Sequence, residues 1–267
     1  MQRTLFLWLR QVVKTAIMKA TATIGDSPLF LLNYLLRLLR VIVLLTLWRA
    51  LLLAHGTTAG LTLRQVLTYT LLGEAVEQLL ACRTWLESAF WSGTIATRFL
   101  RPMGLFTQFT SEMMGPIALG LGLFSLPLLV LSPLLHIDPL PASALSGALF
   151  LVSLSLAVAV SLAIEYVFSA IAIAIQMHPY VINSMRAGVW AVLSGAFLPL
   201  ALLPWGLGHV FEWLPFAATA SAPLKIYVGS GNPLPMLGIQ VFWTLTLWPL
   251  AVWLWRLNRE RMVGYGG

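Results

Sequence analysis

Cysteine is almost absent from this sequence, and charged residues are scarce. The single cysteine, Cys82, excludes an internal disulfide framework and leaves no cysteine-and-histidine cluster for a structural metal ion. Only 9% of the 267 residues are charged, whereas 59% are hydrophobic and the mean hydropathy is +0.88. Because several apolar runs are also long enough to cross a bilayer, this composition indicates an integral membrane protein.

Motifs for nucleotide hydrolysis and for metal catalysis are missing as well. The sequence has no GxxxxGK[ST] phosphate loop and no HExxH pair, and its histidines lie in separate connections. We therefore predict no catalytic residue, no metal site and no cofactor in this chain. The net charge of +7 comes from basic residues at the chain ends and between apolar runs, which is a topology signal and does not indicate a nucleic-acid partner.

Six apolar runs predict six transmembrane helices, and the fold class is therefore all-α. The runs cover approximately residues 29–53, 65–82, 104–135, 143–175, 187–203 and 237–255. With both termini cytoplasmic, eleven Lys and Arg residues fall on the inside and three on the outside. This imbalance satisfies the positive-inside rule, so both termini are predicted to be cytoplasmic.

Three further segments are predicted outside the six spans of this single domain, residues 1–267. Residues 1–25 have an apolar and a basic helical face, which predicts an amphipathic helix lying in the membrane interface. Residues 204–232 are broken by Pro and Gly but rich in aromatic residues, which predicts short re-entrant outer helices or, alternatively, a loop resting on the membrane. Residues 83–103 keep helical periodicity and predict a short cytoplasmic helix that ends at Pro102.

Six charged residues fall at a similar depth within the predicted spans. An unpaired charge at that depth costs several kcal/mol, so these groups should pair with one another or line a hydrated cavity. Structural pairing and direct handling of a polar substrate or ion both remain open. We expect Arg37 and Arg40 to pair with Glu77 and Glu74. The predicted intramembrane charge network consists of Arg37, Arg40, Glu74, Glu77, Glu112 and Glu165.

Three sequence segments resemble one family of membrane proteins. The stretch WSGTIATRFLRP, residues 91–102, resembles the G-x-(I/L)-x-x-x-L-x-R-P signature of permeases in the type-two exporter class of ATP-binding-cassette (ABC) transporters. Residues 193–229 resemble the outer segment of that family, and the ending GYGG resembles its common C-terminus. The most similar branch is that of six-span permeases whose substrates are mostly unassigned.

The resemblance implies a half-permease of the bacterial plasma (inner) membrane. Two permease subunits, identical or related, would assemble in the lipid with a cytoplasmic ATPase dimer that binds ATP and Mg²⁺. The segment between spans two and three would be the coupling helix, which contacts the ATPase. Arg98 stands where the family usually has leucine. The resemblance assigns ATPase contact to Glu87, Ser92, Gly93, Thr94, Arg98, Arg101 and Pro102.

Three functions remain open at this point. The first is an exporter permease that moves a hydrophobic or amphipathic compound such as a drug-like molecule, a peptide or a lipid. The second is a membrane-embedded enzyme that uses Glu74 and Glu77 or the histidines. The third is a membrane scaffold that transports nothing. The absence of a clustered catalytic set favours the permease, which would have no ATPase site of its own.

Overall fold

The computed structural model describes residues 2–25, 30–55 and 62–264, with side chains placed over slightly shorter parts of these ranges. The described ranges are predominantly helical and contain no β-strand. The α-helices are α1 (Gln2–Gly25), α2 (Phe30–His55), α3 (Leu63–Leu80), α4 (Leu86–Trp91), α5 (Ile95–Phe99), α6 (Leu105–Gly120), α7 (Leu126–Leu131), α8 (Ala144–Ala174), α9 (Pro179–Leu193), α10 (Leu207–Phe211), α11 (Pro215–Thr219), α12 (Ser221–Val228) and α13 (Pro233–Gly264).

Three continuous helical stretches in the described part are long and apolar enough to cross a membrane. They are Leu105–Leu135, Ala144–Ala174 and Pro233–Arg259. The first comprises α6, a π-helical turn, α7 and a final 3₁₀ turn, and it contains Pro116. These three stretches agree with the third, fourth and sixth predicted spans. The protein is therefore an all-α protein of the membrane.

Local sequence signals set where several helices begin. Thr62 caps α3 by a reciprocal capping box with Gln65, which satisfies two backbone N–H groups that the first turn leaves unpaired. Ser143 caps α8 by accepting a hydrogen bond from the Ser146 backbone N–H. His178 Nδ1 accepts from the Tyr180 backbone N–H, and Pro179 occupies the first position of α9, where a missing N–H costs nothing.

The fifth predicted span, residues 187–203, is wrong in its boundaries. The helix in this region is α9, which begins eight residues earlier and ends at Leu193 after only 15 residues. A break follows because Gly195 adopts a left-handed φ of +76°, which favours glycine. The Tyr69 hydroxyl donates to the Gly195 carbonyl, and the Ser221 backbone N–H donates to the Ser194 carbonyl, so the broken backbone is paired with neighbouring elements.

The interior of the molecule is organised around α8. This helix contacts α13, α12, α11, α4, α9 and α3. Alanines at its buried positions, including Ala157, Ala163 and Ala170, are fully covered and allow the neighbouring helices to approach. The result is a helix that connects the middle of the bundle to the short helices of both predicted surface segments.

Helix α1 packs along α6 at a close backbone contact. A Cβ atom added to Gly115 would lie 2.1 Å from the Ala16 carbonyl oxygen, which is far inside van der Waals contact. The two helices can approach this closely only because residue 115 has no side chain. The helix predicted over residues 1–25 is thus present as α1, while its position in a membrane interface stays a prediction.

Residues 204–232 form a series of short helices, namely a 3₁₀ turn, α10, α11 and α12. Trp205 and Trp213 are largely exposed on this segment, and Gly229 ends α12 in a left-handed conformation. Lys225 and Glu212 form an ion pair that connects α12 to the end of α10. The short helices agree with the prediction, whereas their re-entrant character and outer location stay predictions.

Candidate functional site

The segment between α3 and α6 holds the residues predicted to contact an ATPase. It does not form the one helix predicted over residues 83–103. Helices α4 and α5 are separated by a turn at Ser92–Thr94, because Gly93 has a φ of +72° that interrupts the helix. The hydroxyls of Ser92 and Thr94 lie 3.0 Å apart, and both are within hydrogen-bond distance of the Ala89 carbonyl.

One face of this segment is firmly packed in the bundle. Leu86, Phe90 and Ile95 are at most 2% exposed and belong to one apolar cluster with Phe109 and Tyr166. Burial of large apolar side chains contributes about 1.5–3 kcal/mol each. The segment is therefore a rigid part of the membrane domain.

The opposite face is open to solvent. Ser92, Thr94, Arg101 and Pro102 are exposed, and Leu100 is 87% exposed. An exposed polar turn on a rigid apolar base is suited to receive another protein, because docking there would move the base with it.

Glu87 is one of two predicted contact residues whose side chains point into the protein. It is 3% exposed, and it accepts hydrogen bonds from Ser169 Oγ at 2.9 Å and Asn183 Nδ2 at 2.6 Å. The Glu87 side chain is therefore covered in this structure, and its assignment to ATPase contact stays a prediction. The carboxylate instead connects α4 to α8 and α9.

Arg98 is also directed inward, toward α6. Its Nη1 lies 2.5 Å from Glu112 Oε1, and its guanidinium lies over the Phe109 ring at 4.5 Å. Arg101 reaches the same carboxylate at 3.5 Å, although it is half exposed. Gln108 Nε2 donates to the Arg98 carbonyl, which helps to fix the end of α5 against the start of α6.

The pairs expected between α2 and α3 are present in the structure. Arg40 Nη2 lies 2.5 Å from Glu74 Oε2 and 2.5 Å from Glu77 Oε2. Arg37 Nη2 lies 3.4 Å from Glu77 and donates to the Glu74 carbonyl at 2.6 Å. The Arg37 guanidinium also lies 3.9 Å from the centre of the Phe124 ring. Two cations and two carboxylates make this cluster neutral.

The six predicted intramembrane charges do not form one network. Glu112 pairs with Arg98 and Arg101, and Glu165 pairs with Arg186 at 2.8 Å. Glu165 also accepts hydrogen bonds from the Thr84 backbone N–H and hydroxyl. The three clusters are separate because each acid faces a different neighbouring element.

Sequence reasoning missed the role of Arg186 and Asn183. Both residues lie on α9 three positions apart, and three residues along a helix place side chains on one face. The signal was the pair His178–Pro179, which is typical of a helix start and would have put both residues inside a helix.

Comparison with known proteins agrees with the segment resemblance. The family model described as ABC-2 family transporter protein matches residues 38–266, which is most of the chain. No curated protein matches the sequence, and no solved structure matches it. The family match includes the α4–α5 segment, the three long apolar stretches and the charge clusters apart from Arg37. The chain belongs to the ABC-2 transporter family as a membrane permease.

Proposed function

We propose that this chain is the half-permease of an ATP-driven exporter and that residues 1–267 form its single transmembrane domain. Membrane components of the ABC-2 family generally work with ABC ATPases. In this proposal a cytoplasmic ATPase dimer binds ATP and Mg²⁺, and a second permease subunit, identical or related, completes the translocation path. Both termini face the cytoplasm of a bacterial cell.

Six crossings are compatible with the helix lengths. Helix α2 has 26 residues and α3 has 18, which correspond to about 39 and 27 Å at 1.5 Å per residue. Helix α9 has 15 residues and reaches about 22 Å, less than the roughly 30 Å of a hydrocarbon core. We propose that the fifth crossing consists of α9 together with the broken segment after it, in which the Ser194 and Gly195 carbonyls accept hydrogen bonds from neighbouring elements.

One observation supports the proposed contact with the ATPase more than any other. The turn at Ser92–Thr94 is exposed, while the helices on both sides of it are anchored by buried side chains, including Phe90 and Ile95. Force applied to the turn by an ATPase would therefore reach the bundle without being lost in a flexible loop. The hydrogen bonds of Glu87 to Ser169 and Asn183 would carry the same displacement to α8 and α9.

The proposed cargo is a hydrophobic or amphipathic compound. Large apolar side chains are exposed along several helices, among them Leu35, Leu39 and Val43 on α2 and Leu245 on α13. Such faces are suited to contact with lipid, with a second permease subunit or with a hydrophobic substrate. The exposed apolar faces support a hydrophobic or amphipathic cargo.

An ATP-hydrolysis assay on the reconstituted complex tests this proposal. A side chain at residue 93 has open space around it, so Gly93→Trp changes the surface of the turn without an internal clash, at the cost of a strained φ. We expect Gly93→Trp combined with Arg101→Glu to reduce association with the ATPase and to abolish substrate-stimulated hydrolysis. Arg256→Glu, a similarly exposed charge reversal on α13, is the matched control and should retain both.

Intact assembly and intact stimulated hydrolysis in the G93W/R101E variant would reject the proposed contact. Catalytic activity of the purified chain alone would instead favour a membrane enzyme. Neither activity nor an ATPase partner would favour a scaffold.

A further inference from the structure

A cavity of about 240 Å³ lies between α1, the end of α3, the start of α4 and α6. It is separate from the exposed turn at Ser92–Thr94. Its lining includes three cations, Lys19, Arg83 and Arg98, and one carboxylate, Glu112. The lining therefore has a net charge of +2, in a chain of which only 9% of the residues are charged.

Two of the three cations have no acidic partner. Arg98 is paired with Glu112, whereas no carboxylate of the described residues lies within 4.0 Å of the Lys19 or Arg83 side-chain nitrogens. The Arg83 guanidinium instead lies over the Trp85 ring, 4.0 Å from its centre. Lys19 and Arg83 are both exposed, so they lie at the mouth of the cavity. Partial desolvation and the nearby charge of Arg186 lower the pKa of Arg83, which lies in the connection between α3 and α4. An anion in the cavity would relieve both effects.

The rest of the lining is mostly apolar. Met113, Pro116 and Ile117 form the wall contributed by α6. At one side lies Gln78, whose side-chain oxygen Oε1 is buried against Gly120. The ligand that fits this lining has an anionic group for the two cations and an apolar part for α6.

We propose that the cavity binds the headgroup of an anionic phospholipid, with the phosphate between Lys19 and Arg83. Basic pockets between transmembrane helices on the cytoplasmic side are typical sites for such headgroups. The proposal rests on the proposed function for one point only, namely that this end of the bundle faces the cytoplasm. A lipid bound there would connect α1 to the α3–α4 connection, because Lys19 and Arg83 belong to these two elements.

The close contact between α1 and α6 determines the position of one cavity wall. Ala16 and Ala20 of α1 lie against Gly115 of α6. Ala16 is about one helical turn before Lys19, and Ala20 follows Lys19 directly. The cavity therefore exists in a defined shape only while α1 is docked, and a lipid bound in it would in turn stabilise the docked α1.

Lipid binding to the purified full-length chain tests this proposal without any ATPase. The thermal unfolding midpoint Tm is measured in detergent with added phosphatidylglycerol, with phosphatidylcholine and with inorganic phosphate. At about a hundredfold excess over its Kd, phosphatidylglycerol should raise Tm by roughly 5–10 °C, and phosphatidylcholine should have much less effect. Binding is quantified in parallel by native mass spectrometry.

Two kinds of variant remove the site in different ways. Lys19→Gln with Arg83→Gln removes both unpaired cations and should weaken phosphatidylglycerol binding at least tenfold, roughly the contribution of one charge-assisted hydrogen bond. Ile117→Trp fills the cavity and leaves every charge in place, so it should weaken binding similarly even if the double variant fails to fold. The matched control, Lys14→Gln with Arg256→Gln, removes two exposed cations outside the cavity and should bind as the original chain does.

The outcomes separate the lipid site from its alternatives. Loss of binding in both cavity variants, with the control unaffected, supports the proposal. An equal loss in the control overturns it, because the attraction would then be unspecific. An equal rise of Tm with inorganic phosphate overturns the lipid assignment, because the site would then take a free anion. Failure of the exporter proposal would appear only in the assay with the ATPase.

Discussion

Exchanging the charges of Arg40 and Glu74 tests the ion pairs between α2 and α3. Glu74→Arg places a cation at a position that is 4% exposed and changes the local charge from zero to +2. Arg40→Glu changes it to −2, but this side chain is 36% exposed and is partly screened by water. We expect a free-energy cost of about 3–5 kcal/mol for E74R and about 2 kcal/mol for R40E.

The double variant R40E/E74R returns the cluster to neutrality with two cations and two carboxylates. We therefore expect it to recover about 2–3 kcal/mol relative to the sum of the single variants. Each 1 kcal/mol corresponds to about 2–4 °C in Tm for a chain of this size, so E74R should unfold roughly 10 °C below the original chain. Thermal unfolding of the detergent-purified protein measures all three variants.

The pair of Arg64 and Asp138 provides a matched control on the surface. Its side chains are 67% and 38% exposed, so a single reversal should cost less than about 1 kcal/mol. A double variant R40E/E74R whose loss of stability equals the sum of the losses in E74R and R40E would refute the pairing. An equally large cost for Arg64→Glu would show that these measurements do not report burial.

Three further predictions concern single side chains. Gly115→Leu should separate α1 from α6, because the new side chain would overlap the Ala16 carbonyl, and limited proteolysis should then cleave α1 faster. Cys82, the one cysteine of the chain, is 0% exposed and should react with N-ethylmaleimide only after unfolding. Glu87→Ala should destabilise the isolated chain by about 2–3 kcal/mol in thermal unfolding, since it leaves buried donors, including Asn183 Nδ2, without their acceptor.

Each of these predictions has a result that would contradict it. Gly122 lies in open space, so Gly122→Leu is the control for Gly115→Leu, and equal cleavage of both variants would count against tight docking of α1. Rapid labelling of native Cys82 would show that its surroundings open. Unchanged stability of Glu87→Ala would favour the original assignment of this side chain to contact with another protein.

Hydropathy and helix signals predicted most of the long elements. The fourth span, residues 143–175, corresponds to α8 at Ala144–Ala174 within one residue at each end. Agreement is close here because a polar Ser143 cap begins the run and no helix breaker lies within it. The shared depth of the charges also predicted the partners of Arg37 and Arg40, since buried opposite charges on adjacent helices have few alternatives.

Hydropathy could not locate the break after α9 or the direction of Glu87. An apolar run looks the same whether its backbone is helical or broken, so the left-handed Gly195 within residues 187–203 left no signal in hydropathy. Periodicity assigns a face to Glu87 but does not reveal that Ser169 and Asn183, more than 80 residues later, cover that face. Such long-range contacts depend on the packing of α4 against α8 and α9.

Site-specific cross-linking from the turn between α4 and α5 tests the central claim most directly. A photoreactive amino acid is placed at Ser92, which is exposed on this turn, or at the exposed Leu140, which lies in the connection before α8. We predict that the probe at residue 92 cross-links to an ABC ATPase identified by its own nucleotide-binding motifs, and that the probe at residue 140 does not. Cross-linking of that ATPase from residue 140, or none from residue 92 in a complex that hydrolyses ATP, would contradict the account.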